Sequence, residues 1–81
     1  MSDDLTARVL RVIAATQRLP VETVTVDKTF EELGIDSMDG VNILFALESE
    51  FDISIPDEVA RRILTVAGMV NGVRQLVEAK A

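Results

Sequence analysis

Apolar residues recur at intervals of three and four in three separate segments of this 81-residue chain. That spacing places them on one face of an α-helix, so each segment is expected to bury an apolar stripe. The first helix is predicted over residues 3–18, the second over 37–50, and the last from Thr65 onward, with Thr65 as its cap. Three stripes of this kind predict an all-α bundle.

Two connecting segments complete the predicted fold. Pro56 and Asp57 begin a short helix, PDEVARRI, in which Asp57 is a candidate cap. Pro20 ends the first helix, and the VETVTV segment that follows has no strand to pair with except the DISI segment, so we expect an extended loop with its valines turned inward. The predicted architecture is a small bundle of three main helices plus one short helix, with a long first loop, in one domain over residues 1–81.

The chain contains neither cysteine nor histidine. Disulfides, thiolate metal sites and a thiol nucleophile are therefore excluded, as are catalytic arrangements that need an imidazole base. No apolar run approaches the roughly 18 residues that a membrane helix needs, and the N-terminal MSDDLTARV is acidic where a signal peptide is basic. These features predict a soluble, cytoplasmic protein that binds no metal and is not an enzyme.

The net charge of −6 is unevenly distributed along the chain. Residues 27–58 contain ten acidic side chains and a single basic one, Lys28, whereas the remainder has a basic excess. A concentrated negative field disfavours nucleic acid and anionic membranes, and it steers basic protein surfaces toward itself. A charge run is often only a solvated face, so its position in the fold has to decide between these interpretations.

The predicted second helix carries apolar side chains on two faces. Its core-facing stripe is Ile43, Leu44, Leu47 and Phe51. A second stripe, here called the docking strip, consists of Met38, Val41 and Phe45, and it is bordered by Ser37, Asn42 and Glu48, with Asp39 farther round. An apolar strip beside acidic groups is typical of a surface that docks a partner. The alternative is that the long loop folds over the strip and makes it part of the core.

A serine stands at the start of the second helix, within GIDSMDG. Gly34 can end the preceding TFEELG turn in the left-handed conformation, and the Asp36 carboxylate can cap the helix. The Ser37 hydroxyl is then free to project, and a phosphate attached to it would meet the positive end of the helix dipole. No base is at hand to activate the hydroxyl, which suits an attachment point better than a nucleophile. A capping or filler serine is the simpler alternative.

Several motifs together resemble the acyl carrier proteins of bacterial fatty-acid and polyketide synthesis. F-x-x-L-G-x-D-S runs from Phe30 to Ser37, ALESEF precedes a DISIPDE segment, and TV opens the last helix. The resemblance covers nearly the whole chain. D-S alone is a weak motif, but these flanks at this spacing, in an acidic chain of this length, are specific.

The resemblance implies that a phosphopantetheinyl transferase, using coenzyme A and magnesium, attaches 4′-phosphopantetheine to Ser37. The thiol of this arm would carry acyl groups as thioesters between enzymes of a fatty-acid, polyketide or specialised lipid pathway. Leu47, Ile55 and Ile63 would line a cavity that shelters the acyl chain. The carrier, expected to be a monomer, would dock onto basic patches of those enzymes through Asp36, Met38, Asp39, Val41, Phe45 and Glu48.

Some positions differ from the common pattern of the family. Asn42 stands where fatty-acid-synthesis carriers usually have an acid, and Gly40 weakens the first turns of the second helix. Arg61 and Arg62 place positive charge on the short helix, which is often more acidic. These differences leave the carrier role intact, and both housekeeping fatty-acid synthesis and a dedicated pathway stay open.

Two functions without a prosthetic group compete with the carrier interpretation. D-S-M-D-G superficially resembles a calcium-binding EF-hand loop, but aligning Gly40 with the loop glycine puts Ile35 and Ala46 where carboxylate ligands are required. A calcium site is thereby excluded. A small acidic helical adaptor that binds basic partners remains the alternative, although it leaves the free Ser37 unexplained.

Overall fold

The computed structural model describes residues 4–80 and contains four α-helices and one turn of 3-10 helix. The helices are α1 (Asp4–Gln17), α2 (Ser37–Phe51), α3 (Asp57–Arg62) and α4 (Val66–Lys80). The predicted all-α bundle, with three main helices, one short helix and a long first loop, is confirmed. The expected helix start at Asp3 lies outside the described residues. Within residues 4–80, no helix combines the length and apolar character needed to cross a membrane.

The three main helices enclose the core, with α1 packed against both α2 and α4. The buried apolar residues of the described chain are Val9, Ile13, Ala14, Val24, Ile35, Ile43, Leu47, Val66, Met69, Val70 and Val73. Ile43 and Leu47 belong to the predicted core-facing stripe of α2, and Leu44 and Phe51 of the same stripe are half-buried against this core. The short helix α3 contributes no buried residue, so it covers the bundle without being embedded in it.

The first loop departs from the expected extended conformation. Its residues Val21–Thr23 form a turn of 3-10 helix, in which the amides of Thr23 and Val24 donate to the carbonyls of Pro20 and Val21. Val24 is buried, but Val21 and Val26 are exposed, so the expectation that all three valines turn inward is wrong. With no neighbouring strand among residues 4–80, the backbone amides pair locally, and the turn breaks the alternation on which that expectation relied.

The end of this loop is tied to the junction between α3 and α4. The Phe30 amide donates to the Leu64 carbonyl at 3.2 Å, and the Val66 amide donates to the Lys28 carbonyl at 3.0 Å. At the same junction the Thr65 hydroxyl oxygen accepts from the Gly68 amide at 2.9 Å, which confirms the predicted cap of α4. Hydrogen bonds therefore hold the loop and the α3–α4 junction together beside α2.

Two basic side chains fasten the C-terminal end of α2. Arg8 of α1 forms an ion pair with Glu50 at 2.9 Å, and its guanidinium lies 4.4 Å from the centre of the Phe51 ring. Lys80 of α4 donates to the Asp52 carbonyl at 2.7 Å, where it helps to satisfy the helix end. These contacts hold the far end of α2, and its N-terminal end is left facing the solvent.

The short helix α3 begins differently from the prediction. Pro56 occupies the N-cap position in an extended conformation, and no side chain caps the helix. Asp57, the predicted cap, is instead the first helical residue, where its carboxylate still faces the positive end of the helix dipole. Proline fixes its own φ and lacks an amide hydrogen, so it makes a sharp helix entry without a side-chain acceptor.

Candidate functional site

The turn that precedes α2 is held by reciprocal hydrogen bonds. The Thr29 amide donates to the Glu32 carboxylate at 2.9 Å, and the Glu32 amide donates to the Thr29 hydroxyl at 3.0 Å. Hydrogen bonding from the Thr29 backbone, and then from its side chain, lowers the pKa of Glu32. A lowered folded-state pKa means that this contribution to stability is present above the unfolded pKa and is lost as the pH falls through the folded value.

Gly34 and Asp36 then set the position of Ser37. Gly34 has φ +73, a left-handed conformation that turns the chain toward α2. The Asp36 carboxylate accepts from the Asp39 amide at 2.9 Å, which confirms the predicted N-cap. Ser37 is therefore the first residue of α2, it is exposed, and its hydroxyl makes no hydrogen bond within residues 4–80. The cap is made by Asp36, so the simpler interpretation of Ser37 as the capping serine is wrong.

Replacing Asp36 by alanine should lower the free energy of unfolding by about 0.5–2 kcal/mol, because the Asp39 amide loses its acceptor. Urea denaturation followed by circular dichroism measures this change. Asp36→Asn is the matched control, since asparagine caps as well as aspartate does. Equal stability of Asp36→Ala and of the chain without substitutions would contradict the role assigned to this carboxylate.

A cleft of about 1080 Å³ opens beside Ser37, between α2, the preceding turn and α3. Its apolar lining includes Leu44, Ile55, Ile63 and Met69, and Ser37 itself lies on the rim. Two of the three predicted cavity residues, Ile55 and Ile63, therefore line this space. Leu47 does not: it is completely buried in the core, and Leu44, three residues earlier on α2, faces the cleft instead.

The charged lining of the cleft is mostly acidic. Its acidic residues are Glu31, Glu32, Asp36, Glu48 and Asp57, and Arg61 is the one basic residue among the described lining side chains. The position of these acids now decides how to interpret the negative charge of residues 27–58. Part of it surrounds the opening beside Ser37, where an approaching basic surface would meet it.

The docking strip is open to solvent. Met38 is 77% exposed, Val41 47% and Phe45 64%. The alternative in which the long loop covers this strip is therefore wrong, because the loop packs against the α3–α4 junction. Large apolar side chains gathered on one exposed helix face are characteristic of an interaction surface.

The acidic residues predicted to flank the strip differ in their surroundings. Asp36 is exposed and Asp39 is half-exposed beside Met38. Glu48, by contrast, is half-buried, and its carboxylate accepts from the Ile55 amide at 2.7 Å. Sequence reasoning missed this inward bond, and it also missed Leu64, which is 72% exposed at the cleft. Leu64 could have been found as an apolar residue between two predicted helices. No local sequence signal indicates that Glu48 accepts from the Ile55 amide.

Comparison with known proteins places the chain in a family. The model for the family described as a phosphopantetheine attachment site matches residues 7–73. An acyl carrier protein of Rickettsia bellii (strain RML369-C) is 39% identical over 74 residues, which cover 90% of this chain and 86% of the relative. A mitochondrial acyl carrier protein of Dictyostelium discoideum is 42% identical over 77 residues, or 95% of this chain, which spans 64% of that relative's length.

The fold agrees with these sequence matches. The crystal structure of an acyl carrier protein from Thermotoga maritima superimposes with a TM-score of 0.84 at 29% identity, over 96% of this chain and 92% of that one. The chain therefore belongs to the acyl carrier protein family, as its motifs predicted. Domains of this family carry a 4′-phosphopantetheine prosthetic group and are carriers, not enzymes. They interact with acyl-handling enzymes and with a phosphopantetheinyl transferase.

Proposed function

We propose that Ser37 is the attachment point for 4′-phosphopantetheine and that the chain carries acyl groups as thioesters on the thiol of that arm. The observation that supports this most strongly is the exposed Ser37 hydroxyl at the first position of α2, beside a cleft and without a hydrogen-bond partner in the described chain. No histidine is present to take its proton. The modification therefore needs an external transferase that supplies the base.

The residues around Ser37 fit a phosphate diester. The amides of the first turn of α2 point toward this end of the helix, and the dipole there favours a negative group by about 0.3–1 kcal/mol at an exposed position. Asp36 uses one of its carboxylate oxygens to accept from the Asp39 amide. Its charge lies beside the attachment point and offsets part of that attraction.

We further propose that the apolar part of the cleft shelters the acyl chain. Ile55 and Ile63 supply one wall and Leu44 the other, and Ser37 on the rim gives an attached arm direct access to them. Each methylene buried there contributes about 0.8 kcal/mol. Leu47 lies beneath this lining in the core, so its part in sheltering a chain depends on rearrangement of the residues above it.

Enzyme docking is assigned to Asp36, Asp39 and the docking strip. The apolar strip supplies contact area near Ser37, and the carboxylates beside it attract basic patches of acyl-handling enzymes. Glu48 belongs to the same group in sequence, but its carboxylate already accepts from the Ile55 amide. Asp39 is therefore the better test of the electrostatic contribution.

Reversing the charge at Asp39 with lysine should slow transfer by a cognate enzyme, on the order of tenfold at low salt, because the combined field of a charged surface raises association rates by about 10- to 1000-fold and Asp39 is one of the acids nearest Ser37. The difference should shrink as salt rises, since exposed charges are screened. Glu78→Lys, which makes the same charge change on α4, is the control. Equal rates for the two variants at low salt would count against docking at Asp39.

The proposed modification is tested by intact mass. The chain is incubated with coenzyme A, magnesium and a broad-specificity phosphopantetheinyl transferase, and it should gain the mass of one phosphopantetheine. An unchanged mass would favour the second candidate, a small acidic adaptor that docks basic partners through the exposed strip without a covalent group. The exposure of Met38 and Phe45 fits both functions, so only the modification separates them.

We propose that residues 1–81 act as one monomeric carrier domain in the cytoplasm. The single core of the described residues supports one domain. The mitochondrial relative shows that the family also occurs in an organelle. Fatty-acid, polyketide and specialised lipid pathways all fit a carrier with this site, and the thioester bound to protein purified from its source would identify the pathway.

A further inference from the structure

Three backbone amides at the exit from α2 converge on one residue, Glu48. The Asp52 amide donates to the Glu48 carbonyl, and the Ile53 amide donates to the same oxygen at 3.1 Å. The Ile55 amide donates to the Glu48 carboxylate at 2.7 Å. Two of these bonds are ordinary for a helix end, but the third spans seven residues and fixes the chain after it has left the helix.

This third bond joins two walls of the cleft. Glu48 and Ile55 both line it, Glu48 from α2 and Ile55 from the segment that leads through Pro56 into α3. The position of Ile55 thus sets where α3 begins relative to α2. A charged acceptor for a backbone amide in a half-buried setting is among the stronger hydrogen bonds in proteins.

Little else in the described chain holds α3 at this end. None of its residues is buried. A second, smaller cavity of about 190 Å³ lies between α3 and α4 and is lined by Val59, Gly72 and others. Val59 and Ala60 of α3 are half-buried, and Val59 lies close to Gly72 of α4. Toward α2 the cleft leaves α3 open, so on that side its position depends on its connections more than on dense packing.

We propose that Glu48 is a positioning residue: its carboxylate latches Ile55 and the start of α3 to α2, and so sets the width of the cleft. This inference deepens the proposed sheltering function, on which its consequence for cargo rests.

The latch is tested on the unmodified chain by amide hydrogen exchange with NMR. In Glu48→Ala the Ile55 amide should exchange roughly tenfold faster or more, as expected when a hydrogen bond to a charged group is lost. Glu48→Gln retains an oxygen acceptor. Its exchange rate at the Ile55 amide should therefore lie closer to that of the chain without substitutions. The Val73 amide, in the core of α4, reports global unfolding in every variant.

Glu50→Ala makes the same chemical change two residues along α2 and serves as the control, because Glu50 pairs with Arg8 and not with Ile55. It should leave the ratio of Ile55 to Val73 exchange unchanged. If Glu48→Ala left that ratio unchanged as well, the latch would be wrong. A loss of protection from exchange that is confined to Ile55 and its neighbours supports the latch.

A second measurement connects the latch to the cargo. The holo-protein is loaded with a decanoyl thioester, and cleavage by hydroxylamine is timed for each variant. Glu48→Ala should accelerate cleavage roughly in proportion to the increase in Ile55 exchange, and Glu48→Gln should do so less. Identical cleavage rates in all three proteins would overturn the effect on the cleft. Because exchange is read without any arm, failure of Ser37 to be modified would be seen separately.

Discussion

Replacing Ser37 by alanine should abolish the mass gain on incubation with coenzyme A, magnesium and a phosphopantetheinyl transferase. Alanine has no hydroxyl to form the phosphodiester, so the loss should be complete, whatever the affinity for the transferase. The fold should be retained, because Asp36 caps α2 and the Ser37 side chain makes no hydrogen bond within residues 4–80. Intact mass spectrometry and circular dichroism of the same sample measure both properties.

Two other serines provide matched controls for this substitution. Ser49 and Ser54 are exposed, as Ser37 is, and they lie within 17 residues of it in the sequence. Neither stands at a helix start. Ser49→Ala and Ser54→Ala should each gain the mass of one phosphopantetheine, as the chain without substitutions does. A mass gain that persisted in Ser37→Ala and disappeared in either control would move the attachment point away from Ser37.

Replacing Ile43 by alanine should lower the free energy of unfolding by about 2–5 kcal/mol. Ile43 is completely buried in the core of the described chain, so its loss removes apolar contact and leaves a cavity in that core. For a domain with a total stability of about 5–15 kcal/mol this is a large fraction. Urea denaturation followed by circular dichroism measures it.

Val41→Ala is the control for the core substitution, because Val41 lies two residues earlier on α2 and is exposed. Surface substitutions of this kind usually change stability by no more than about 0.5 kcal/mol. Similar losses in Ile43→Ala and Val41→Ala would mean that α2 does not present these two faces as described. The pair thus tests the division of the helix into a core stripe and a docking strip.

The helices could be predicted from sequence because their signals are local. Apolar spacing placed α1, α2 and α4, and the Asp36 carboxylate, three residues before the amide that it accepts from, marked the start of α2. The VETVTV segment was predicted less well. Its alternation is typical of a strand, but whether Val21 and Val26 are buried depends on neighbours far along the chain, which local spacing does not contain.

The candidate site shows the same boundary between local and distant information. The free hydroxyl of Ser37 followed from a turn and a cap within a few residues of it. The inward bond of Glu48 did not, because a side chain that accepts from an amide seven residues later requires the chain to turn back on itself. The family resemblance implies that Leu47 lines the cavity. In the structure Leu47 points into the core, and Leu44, three residues earlier on α2, lines the cleft instead.

The most direct test of the carrier assignment is to locate the modification on protein purified from its source. Trypsin leaves residues 29–61 as one peptide, since no lysine or arginine lies between Lys28 and Arg61, and this peptide contains Ser37, Ser49 and Ser54. Fragmentation of the peptide in a mass spectrometer separates the three positions. We predict phosphopantetheine, free or acylated, on Ser37. An unmodified Ser37, or an arm on either other serine, would contradict the account.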